Sequence, residues 1–380
     1  MGSFDRSDLK ERNRATVYSL FATKRAYSKA DIARESGISA PTVQKIVEYF
    51  ESLNLLVSAG EEEYLASADD PLGLSLGRRP QPLRLNPDSV FTLGVEYDGL
   101  RLSIGLIDAA GSLRSLVHKK ITENVDTLID NYLEAQVLES IATAGLPKEK
   151  IAGLGIGLPG TVDQDHHILR FAPLVGITAP LDLSVSLATL EGSLGFPVVV
   201  ENDANAAALG EYACRFDGDP GDLLFAVLGR GFGAGIVLDG RLRRGKRYFA
   251  GEIGYMVFDP LWHATFSKPG WLEVQTDLAS FWKEAERERG PSEQALRRVA
   301  DYLAVSVTDI CIVLDIQKVV LGGLQRLTFG ERLLELIQER VNRLSVLDLT
   351  CEAPLAQEPG VMGAGRLALD RWLKRVFEGP

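Results

Sequence analysis

Long apolar runs are missing from this 380-residue sequence. No window holds the roughly 18 uninterrupted apolar residues of a membrane-spanning helix, and the first residues, MGSFDRSDLKERN, lack the apolar core of a signal peptide. Cysteine is scarce: Cys214, Cys311 and Cys351 lie far apart and form no CxxC spacing. They are typical of buried thiols in a cytoplasmic protein. The formal net charge of −11 argues against a chain that coats nucleic acid everywhere, but it allows a local basic patch.

The N-terminal residues 1–85 carry a helix-turn-helix pattern. Apolar spacing predicts a helix over 14–23, and cap signals predict a second over 29–35, after Ser28, and a third after Ser39. Gly37 breaks the chain between the last two. The third helix has an inward apolar stripe, which comprises Val43, Ile46, Val47, Phe50 and Leu53. In a helix-turn-helix this third helix enters the major groove of DNA.

The outer face of the third helix is therefore predicted to contact DNA. Its candidates for base or phosphate contacts are Thr42, Gln44 and Lys45. Five further cations are candidates for phosphate contacts: Arg12, Arg14, Lys24, Arg25 and Lys29. The alternative is a three-helix bundle used for protein contacts, because a helix-turn-helix is a fold and not by itself a function.

Two short strands, over 55–57 and 82–85, are predicted to form a wing after the third helix. The segment between them is acidic at Glu61, Glu62, Glu63, Asp69 and Asp70. Such charges repel phosphate, so either the tip points away from DNA or binding is weak. Arg78 and Arg79 precede the return strand and are positioned by sequence to reach the DNA backbone.

The remaining residues repeat one order of elements. Strand-strand-strand-helix-strand-helix occurs twice, which predicts two matching halves that face each other across a cleft. The first set is predicted at 91–96, 102–108, 112–121, 126–144, 151–157 and 181–194. The second is predicted at 223–228, 233–238, near 242, 272–289 with 292–314, 319–321 and 329–344, followed by a strand at 347–351 and a terminal helix at 360–376.

The stretch 198–211, VVVENDANAAALGE, joins a buried strand to an Ala-rich helix. Asp203 is predicted at the helix start, where free backbone N–H groups favour a negative charge. In an open α/β sheet, the carboxyl end of a strand is also where small ligands bind. The alternative is that Asn202 and Asp203 only cap the helix.

Several motifs occur in an order that resembles the ROK family of repressors, uncharacterised frames and sugar kinases. They are GRRPQPLRLNP (77–87), GIGLPGTVD (155–163), ENDANAAALGE (201–211), GFGAGIVLDGRLRRG (231–245), AGEIG (250–254), VLGGL (320–324) and GVMGAGRLA (360–368). The resemblance implies an α/β fold: a winged helix-turn-helix over 1–85, then a duplicated, ribonuclease H-like, actin-like or hexokinase-like module of two lobes. The first lobe is expected at 86–200 with the helix at 361–380, the second lobe at 201–360, and the protein as a dimer.

The same resemblance implies a sugar pocket. Its residues in this sequence would be Gly160, Asn202, Asp203, Glu252, Tyr255 and Glu273. Carboxylates and an amide suit the vicinal hydroxyls of a sugar. In ROK kinases the aspartate at the position of Asp203 is the general base. Here we expect no catalytic residue, so Asp203 would serve sugar binding.

Two departures from the kinases support that expectation. The first hairpin turn reads Glu96-Tyr97-Asp98-Gly99-Leu100, without the family's double glycine or threonine, and Arg230 replaces the usual threonine of the second. Phosphoryl transfer depends on positioning and on neutralising charge, so ATP and Mg²⁺ are not expected. Tyr255 stands at the position of the family's zinc-binding histidine. Thr265, Ser267 and Trp271 stand at the positions of its three zinc-binding cysteines. No metal or other cofactor is therefore expected.

The sequence predicts a cytoplasmic, sugar-responsive repressor of carbohydrate-metabolism genes. A homodimer or dimer of dimers would bind double-stranded operator DNA, and sugar in the cleft would alter the spacing of the recognition helices. The first alternative is an ATP-dependent ROK sugar kinase that kept its DNA-binding domain. The second is a regulator that lost sugar binding and responds to another ligand or to a protein.

Overall fold

A computed structural model describes residues 6–22, 25–60, 64, 81–121, 123–216, 221–263, 269–287, 290–324 and 327–379. Within these ranges no helix is both long enough and apolar enough to cross a bilayer. Cys311 and Cys351 are buried as predicted, but Cys214 is exposed, so that part of the thiol prediction is wrong.

The N-terminal unit consists of three helices and a two-stranded antiparallel sheet. The elements are α1 (Arg6–Ala22), α2 (Lys29–Ser36), α3 (Ala40–Ser52), β1 (Leu56–Ser58) and β2 (Leu83–Leu85). The apolar stripe of α3 is buried except for Leu53, which lies just beyond the helix and is exposed. Three helices followed by a two-stranded sheet is the order of elements that a winged helix-turn-helix requires. The wing-tip acids and both Arg78 and Arg79 lie outside the described residues.

The cap predictions hold at α2 and fail in part at α3. Ser28 and Asp31 form a complete capping box, in which Ser28 Oγ accepts from the Asp31 N–H at 3.2 Å and Asp31 Oδ2 accepts from the Ser28 N–H at 3.0 Å. Ser39 occupies the predicted cap position of α3, but its hydroxyl pairs with that of Thr42 at 2.9 Å instead of with the backbone. The first helix begins at Arg6 and not at Arg14.

The first lobe is a five-stranded sheet with the order β10-β6-β3-β4-β5, where β3 is parallel to β6 and antiparallel to β4. Its strands are β3 (Phe91–Tyr97), β4 (Arg101–Asp108), β5 (Leu113–Lys120), β6 (Ile151–Leu158) and β10 (Val198–Asn202). A small sheet is inserted at β7 (Thr161–Asp163), β8 (Ile168–Phe171) and β9 (Leu181–Asp182). The helices are α4 (Val125–Thr127), a π-helical segment (Leu128–Tyr132), α5 (Leu133–Thr143) and α6 (Ser184–Leu194).

The second lobe repeats this sheet with the order β13-β12-β11-β14-β15. Its strands are β11 (Leu223–Leu228), β12 (Phe232–Leu238), β13 (Arg241–Leu242), β14 (Lys318–Gly322) and β15 (Thr350–Glu352). Its helices are α8 (Trp271–Gln275), α9 (Leu278–Ala285), α10 (Glu293–Leu314) and α11 (Gly330–Leu344), and α7 (Asp203–Arg215) and α12 (Pro359–Glu378) lie between the lobes. The predicted duplication and two-lobed architecture are confirmed.

Two predicted helices have wrong bounds. The helix expected over 272–289 is two helices, α8 and α9, because Asp277 adopts a left-handed backbone with φ of 49° and interrupts it. The helix expected from 181 begins at Ser184, since Leu181 and Asp182 instead pair with β8 as a third strand of the small sheet. Tertiary strand pairing therefore overrides the local helical pattern at that point.

Helix α12 packs on β3, β6 and α7 with backbone against backbone. A Cβ at Gly155 of β6 would overlap the carbonyl oxygen of Ala364, and a Cβ at Gly363 would overlap that of Ala206 in α7. Glycine at these positions is what lets the helix approach so closely. Helix α12 is thereby held against the first-lobe sheet and against α7, and α7 in turn packs on β11 and β12 of the second lobe.

The other end of α12 is held by the N-terminal unit. Arg14 donates hydrogen bonds to the carbonyl oxygens of Val376, Phe377 and Gly379 at 3.3, 3.0 and 2.6 Å, and its guanidinium lies 3.8 Å from the ring centroid of Tyr49. A cation suits the free carbonyls at a helix C-terminus. Arg14 is only 5% exposed, so the prediction that it contacts DNA phosphate is wrong.

We expect Gly363→Ala to lower the free energy of unfolding by about 3 kcal/mol or more, because the added methyl group must displace backbone. Gly192→Ala in α6 is the control, since nothing lies within 4 Å of a Cβ there, and it should be neutral or stabilise by up to about 1 kcal/mol. Urea unfolding followed by tryptophan fluorescence measures both. Equal stability of the two variants would contradict the packing argument.

Candidate functional site

The junction between β10 and α7 places Asn202 and Asp203 at the carboxyl edge of the first sheet. Asn202 is the helix cap: its Oδ1 accepts from the Asn205 N–H at 2.9 Å. Its Nδ2 donates to the Gly160 carbonyl oxygen at 2.9 Å and to Asp203 Oδ1 at 3.1 Å. Asp203 Oδ1 also accepts from the Ala204 N–H at 2.8 Å. Since Asn202 does the capping, the Asp203 carboxyl is left beside the cleft.

The second lobe contributes two carboxyl groups from the far side of the cleft. Glu252 Oε1 accepts a hydrogen bond from the Thr161 hydroxyl of the first lobe at 3.1 Å. Glu273 Oε1 accepts from the Phe232 N–H at 3.1 Å. Glu273 Oε2 is buried and has no hydrogen-bond partner among the described residues. It is thus an acceptor that a hydroxyl or amine of a ligand would satisfy.

Burial and mutual repulsion favour protonation of these carboxyls. Burial raises the pKa of Asp203 to about 8, and the nearby carboxyls of Glu96 and Glu252 contribute to the rise. Burial likewise raises the pKa of Glu252 to about 7, with Glu273 adding to it, and that of Glu96 to about 7. Burial also raises the pKa of Glu273. At neutral pH Asp203, Glu252 and Glu96 can therefore both donate and accept hydrogen bonds.

Glu96 belongs to this acidic group, although the sequence singled it out only as a departure from the kinase turn. Its side chain lies against Gly360 at the start of α12, where a Cβ would overlap it. That contact brings the end of β3, the start of α12 and the cleft together. The sequence signal was only the altered hairpin turn that contains Glu96, because the neighbours of Glu96 depend on packing.

Tyr255, at the position of the family histidine, takes part in an aromatic cluster across the cleft. Its ring centroid lies 5.7 Å from that of Phe171 in β8 and 5.7 Å from that of Phe249. Burial raises the pKa of the Tyr255 phenol well above its usual range, and Glu273 and Glu252 add to the shift. The phenol therefore stays protonated beside the carboxyls.

The two hairpin turns that would hold phosphates in a kinase meet at Arg230. A Cβ built on Gly99 would lie 2.9 Å from Arg230 Nη1 and 2.8 Å from Val175 Cγ1. Arg230 thus reaches from the second lobe to the first hairpin turn. Leu100, where the kinases have threonine, is 48% exposed, and its side chain has no hydroxyl for a phosphate.

The loop that resembles the zinc segment is only partly described. Thr265 and Ser267 lie outside the described residues, whereas Trp271 is buried and packs edge-to-face on Phe258 and Tyr302. The described residues contain no group of three or more His, Cys, Asp or Glu suited to a metal. His166 is exposed and pairs with Asp163. His167 is partly buried, and its Nδ1 is fully buried.

The predicted DNA contacts divide into described and undescribed residues. Gln44 and Lys45 are exposed on α3, and Thr42 and Lys29 are partly exposed. Gln44 donates a hydrogen bond to Glu48, and Lys29 lies 4.0 Å from Glu51. The contact of Lys29 with Glu51 is a weak surface ion pair, and the hydrogen bond of Gln44 with Glu48 is exposed.

These features define a class: a duplicated two-lobed protein with a carboxyl-lined cleft, joined to an N-terminal unit of three helices and a two-stranded sheet. The family model described as "ROK family" matches residues 92–371. The chain therefore belongs to the ROK family.

Curated relatives include both regulators and enzymes. A putative xylose repressor of Caldicellulosiruptor sp. (strain Rt8B.4) is 29% identical over 256 residues, which cover 66% of this chain and 60% of that protein. A glucokinase of Streptomyces coelicolor is 32% identical over 209 residues, which cover 54% of this chain and 62% of that protein. The matches thus span less than two thirds of these relatives.

Solved structures share the fold. The crystal structure of a ROK family transcriptional regulator, a homolog of the E. coli Mlc protein, matches 98% of this chain and 100% of its own, with a TM-score of 0.74 and 22% identity. A ROK family glucokinase from Streptomyces griseus, in complex with glucose and AMPPNP, matches 73% of this chain and 98% of its own, with a TM-score of 0.57 and 23% identity. Since it covers 98% of this chain, the regulator match includes the N-terminal unit.

Asp203→Asn should flatten the pH dependence of stability. Folded Asp203 keeps a proton up to about pH 8, whereas the unfolded chain releases it near pH 4. Its stabilising contribution is complete below pH 4 and is lost as the pH rises towards 8, by about 1.4 kcal/mol per pH unit. The variant should lose this slope, measured by urea unfolding at pH 5.5, 6.5 and 7.5.

Asp126→Asn, at an exposed position of α4, is the control and should keep the wild-type slope. If Asp203→Asn keeps it too, the Asp203 carboxyl is not held protonated in the folded protein.

Proposed function

We propose that this protein is a sugar-responsive, DNA-binding transcriptional repressor of carbohydrate-metabolism genes. The observation that carries the proposal is the joining of two units in one chain: a helix-turn-helix with an exposed α3 face and a cleft lined with carboxyls. Helix α12 contacts both units. The xylose repressors among the relatives support the same function.

The ligand site we propose consists of Gly160, Asn202, Asp203, Glu252, Tyr255 and Glu273, to which we add Glu96. Protonated and ionised carboxyls together supply the donors and acceptors that vicinal hydroxyls need. A sugar is therefore the ligand class that fits these groups best. The aromatic cluster around Tyr255 would bound the pocket on its apolar side.

DNA binding is assigned to the exposed side of α3. Thr42, Gln44 and Lys45 would reach into the major groove, with Lys29 on the backbone. Arg78 and Arg79 remain proposed backbone contacts on sequence grounds. A dimer would present two α3 helices to half-sites one helical turn apart. We propose that this dimer acts in the cytoplasm, where its operator lies.

The alternative function is a sugar kinase, which the glucokinase relatives favour. Arg230 argues against it, because its side chain lies against the first hairpin turn where phosphates would have to enter. Leu100 and Asp98 remove further phosphate contacts from that turn. We accordingly propose that Asp203 contacts ligand without acting as a general base.

Retention of fragmented genomic DNA by the purified protein, followed by sequencing, tests the repressor function. We expect enrichment of a short inverted repeat near sugar-transport or sugar-metabolism genes, and release of that DNA by a sugar. If no fragment is enriched at low salt, the repressor function fails.

Lys45→Ala should weaken operator binding and reduce the slope of log K against log salt by about 1, because one phosphate contact releases about one counterion. Lys283→Ala, an exposed lysine of the second lobe, is the control and should leave the slope unchanged. Fluorescence anisotropy at several salt concentrations measures both variants. An unchanged slope for Lys45→Ala would remove Lys45 from the interface.

The kinase alternative is tested by sugar-dependent ADP production with D-glucose and D-xylose. We expect none above the ATP-only background, because Arg230 occupies the space between the two turns. Production that Asp203→Asn abolishes would establish the kinase instead.

A further inference from the structure

One segment of the second lobe lies on the first lobe beside the ligand site. We define this strap as residues 243–252, from the end of β13 to Glu252. It is tied to its own lobe at both ends, since the Arg243 N–H donates to the Ile236 carbonyl oxygen at 2.7 Å and Gly251 packs on Ala234. Between these ends its side chains contact the first lobe.

The strongest of these contacts is an ion pair across the cleft. Arg244 Nε lies 2.7 Å from Glu201 Oε2. Glu201 is in β10, directly before Asn202 and Asp203, and it is 1% exposed. A buried carboxylate of this kind is stable only when its partners are in place.

Every other donor to Glu201 comes from the first lobe or from the start of α7. Gln164 Nε2 donates to Oε2 at 2.6 Å, and the Asn202 N–H and Asn205 Nδ2 donate to Oε1 at 2.9 and 3.1 Å. Glu201 is thus held rigidly to the strand end that carries the ligand residues. Arg244 is its one cationic partner among the described residues.

Three further contacts hold the strap against the first lobe. The Tyr248 hydroxyl donates to Asp165, and the Thr161 hydroxyl donates to Glu252 at 3.1 Å. Phe249 reaches Phe171 of β8 through Tyr255. Glu252, a proposed ligand residue, stands at the end of this series of contacts.

We propose that Arg244 is a positioning residue for the ligand site. Its pair with Glu201 fixes the strap, and with it Glu252, relative to Asn202 and Asp203. The two lobes therefore present their ligand groups at a set separation before ligand arrives, which lowers the cost of binding. The role in ligand binding rests on the proposed function, whereas the fixing of the strap does not.

Hydrogen exchange tests the fixing of the strap without any ligand. In full-length Arg244→Gln we expect the backbone amides of 245–252 to exchange at least tenfold faster than in wild type. Arg243→Gln, at the exposed neighbour of Arg244, is the matched control and should exchange as wild type does. Unchanged exchange in Arg244→Gln would overturn the proposal, whatever the protein binds.

Calorimetric titration with D-xylose and D-glucose tests the consequence for ligand binding. For whichever sugar binds wild type, we expect Arg244→Gln to raise Kd at least tenfold. Arg244→Lys, which keeps the charge, should recover part of the loss, and operator affinity without sugar should stay at the wild-type value. A general loss of structure would instead reduce operator affinity as well.

The outcomes separate the two proposals. If wild type binds neither sugar, the proposed response to these sugars fails, and the exchange experiment still decides whether Arg244 fixes the strap. If exchange rises in Arg244→Gln while the Kd stays at the wild-type value, the strap is held by Arg244 but does not position ligand groups, and the proposal is wrong.

Discussion

The close approach of α12 to the first-lobe sheet and to α7 is the constraint on which the rest of the structure depends. Glycines at Gly155 and Gly363 leave room for carbonyl oxygens of neighbouring backbone, so α12 can lie on β6 and α7 at once. A helix in this position must start at the cleft, beside Glu96, and end at the N-terminal unit, beside Arg14. The position of the N-terminal unit against the module follows from that packing, and so does the burial of Glu96.

The cleft concentrates carboxyls that would repel one another if all were ionised. Burial and mutual repulsion raise the pKa of Asp203, Glu252 and Glu96 into the range of about 7 to 8. Such a site is costly for stability above neutral pH, and in proteins this kind of cost is commonly associated with ligand sites. Glu201 differs from these groups, because four hydrogen-bond donors, one of them cationic, surround its carboxylate. The Glu201 carboxylate is thus compensated within the protein, and we propose that the other carboxyls serve a ligand.

Much of the architecture could be predicted from the sequence. The Ser28 capping box, the two hairpins and the duplicated order of strands have local signals in residue type and spacing. The family resemblance rested on motifs such as ENDAN and GEIG, and the match over 92–371 confirms it. Predictions failed where distant residues decide the outcome. Examples are the helix interruption at Asp277, the pairing of Leu181 and Asp182 with the small sheet, and the exposure of Cys214.

The sequence by itself determined which residue types are available to the site. Strand ends, helix caps and apolar stripes depend on residues that are neighbours along the chain, so they can be recognised from the sequence. Only the tertiary structure decided what those residues contact. From the sequence, Arg14 was predicted to be one more surface cation of a DNA-binding unit. In the structure it donates hydrogen bonds to carbonyl groups more than 360 residues away in sequence. Glu201 and Arg244 lie 43 residues apart and form an ion pair between the lobes. Such pairs depend on how lobes and helices pack, and no spacing along the chain encodes that.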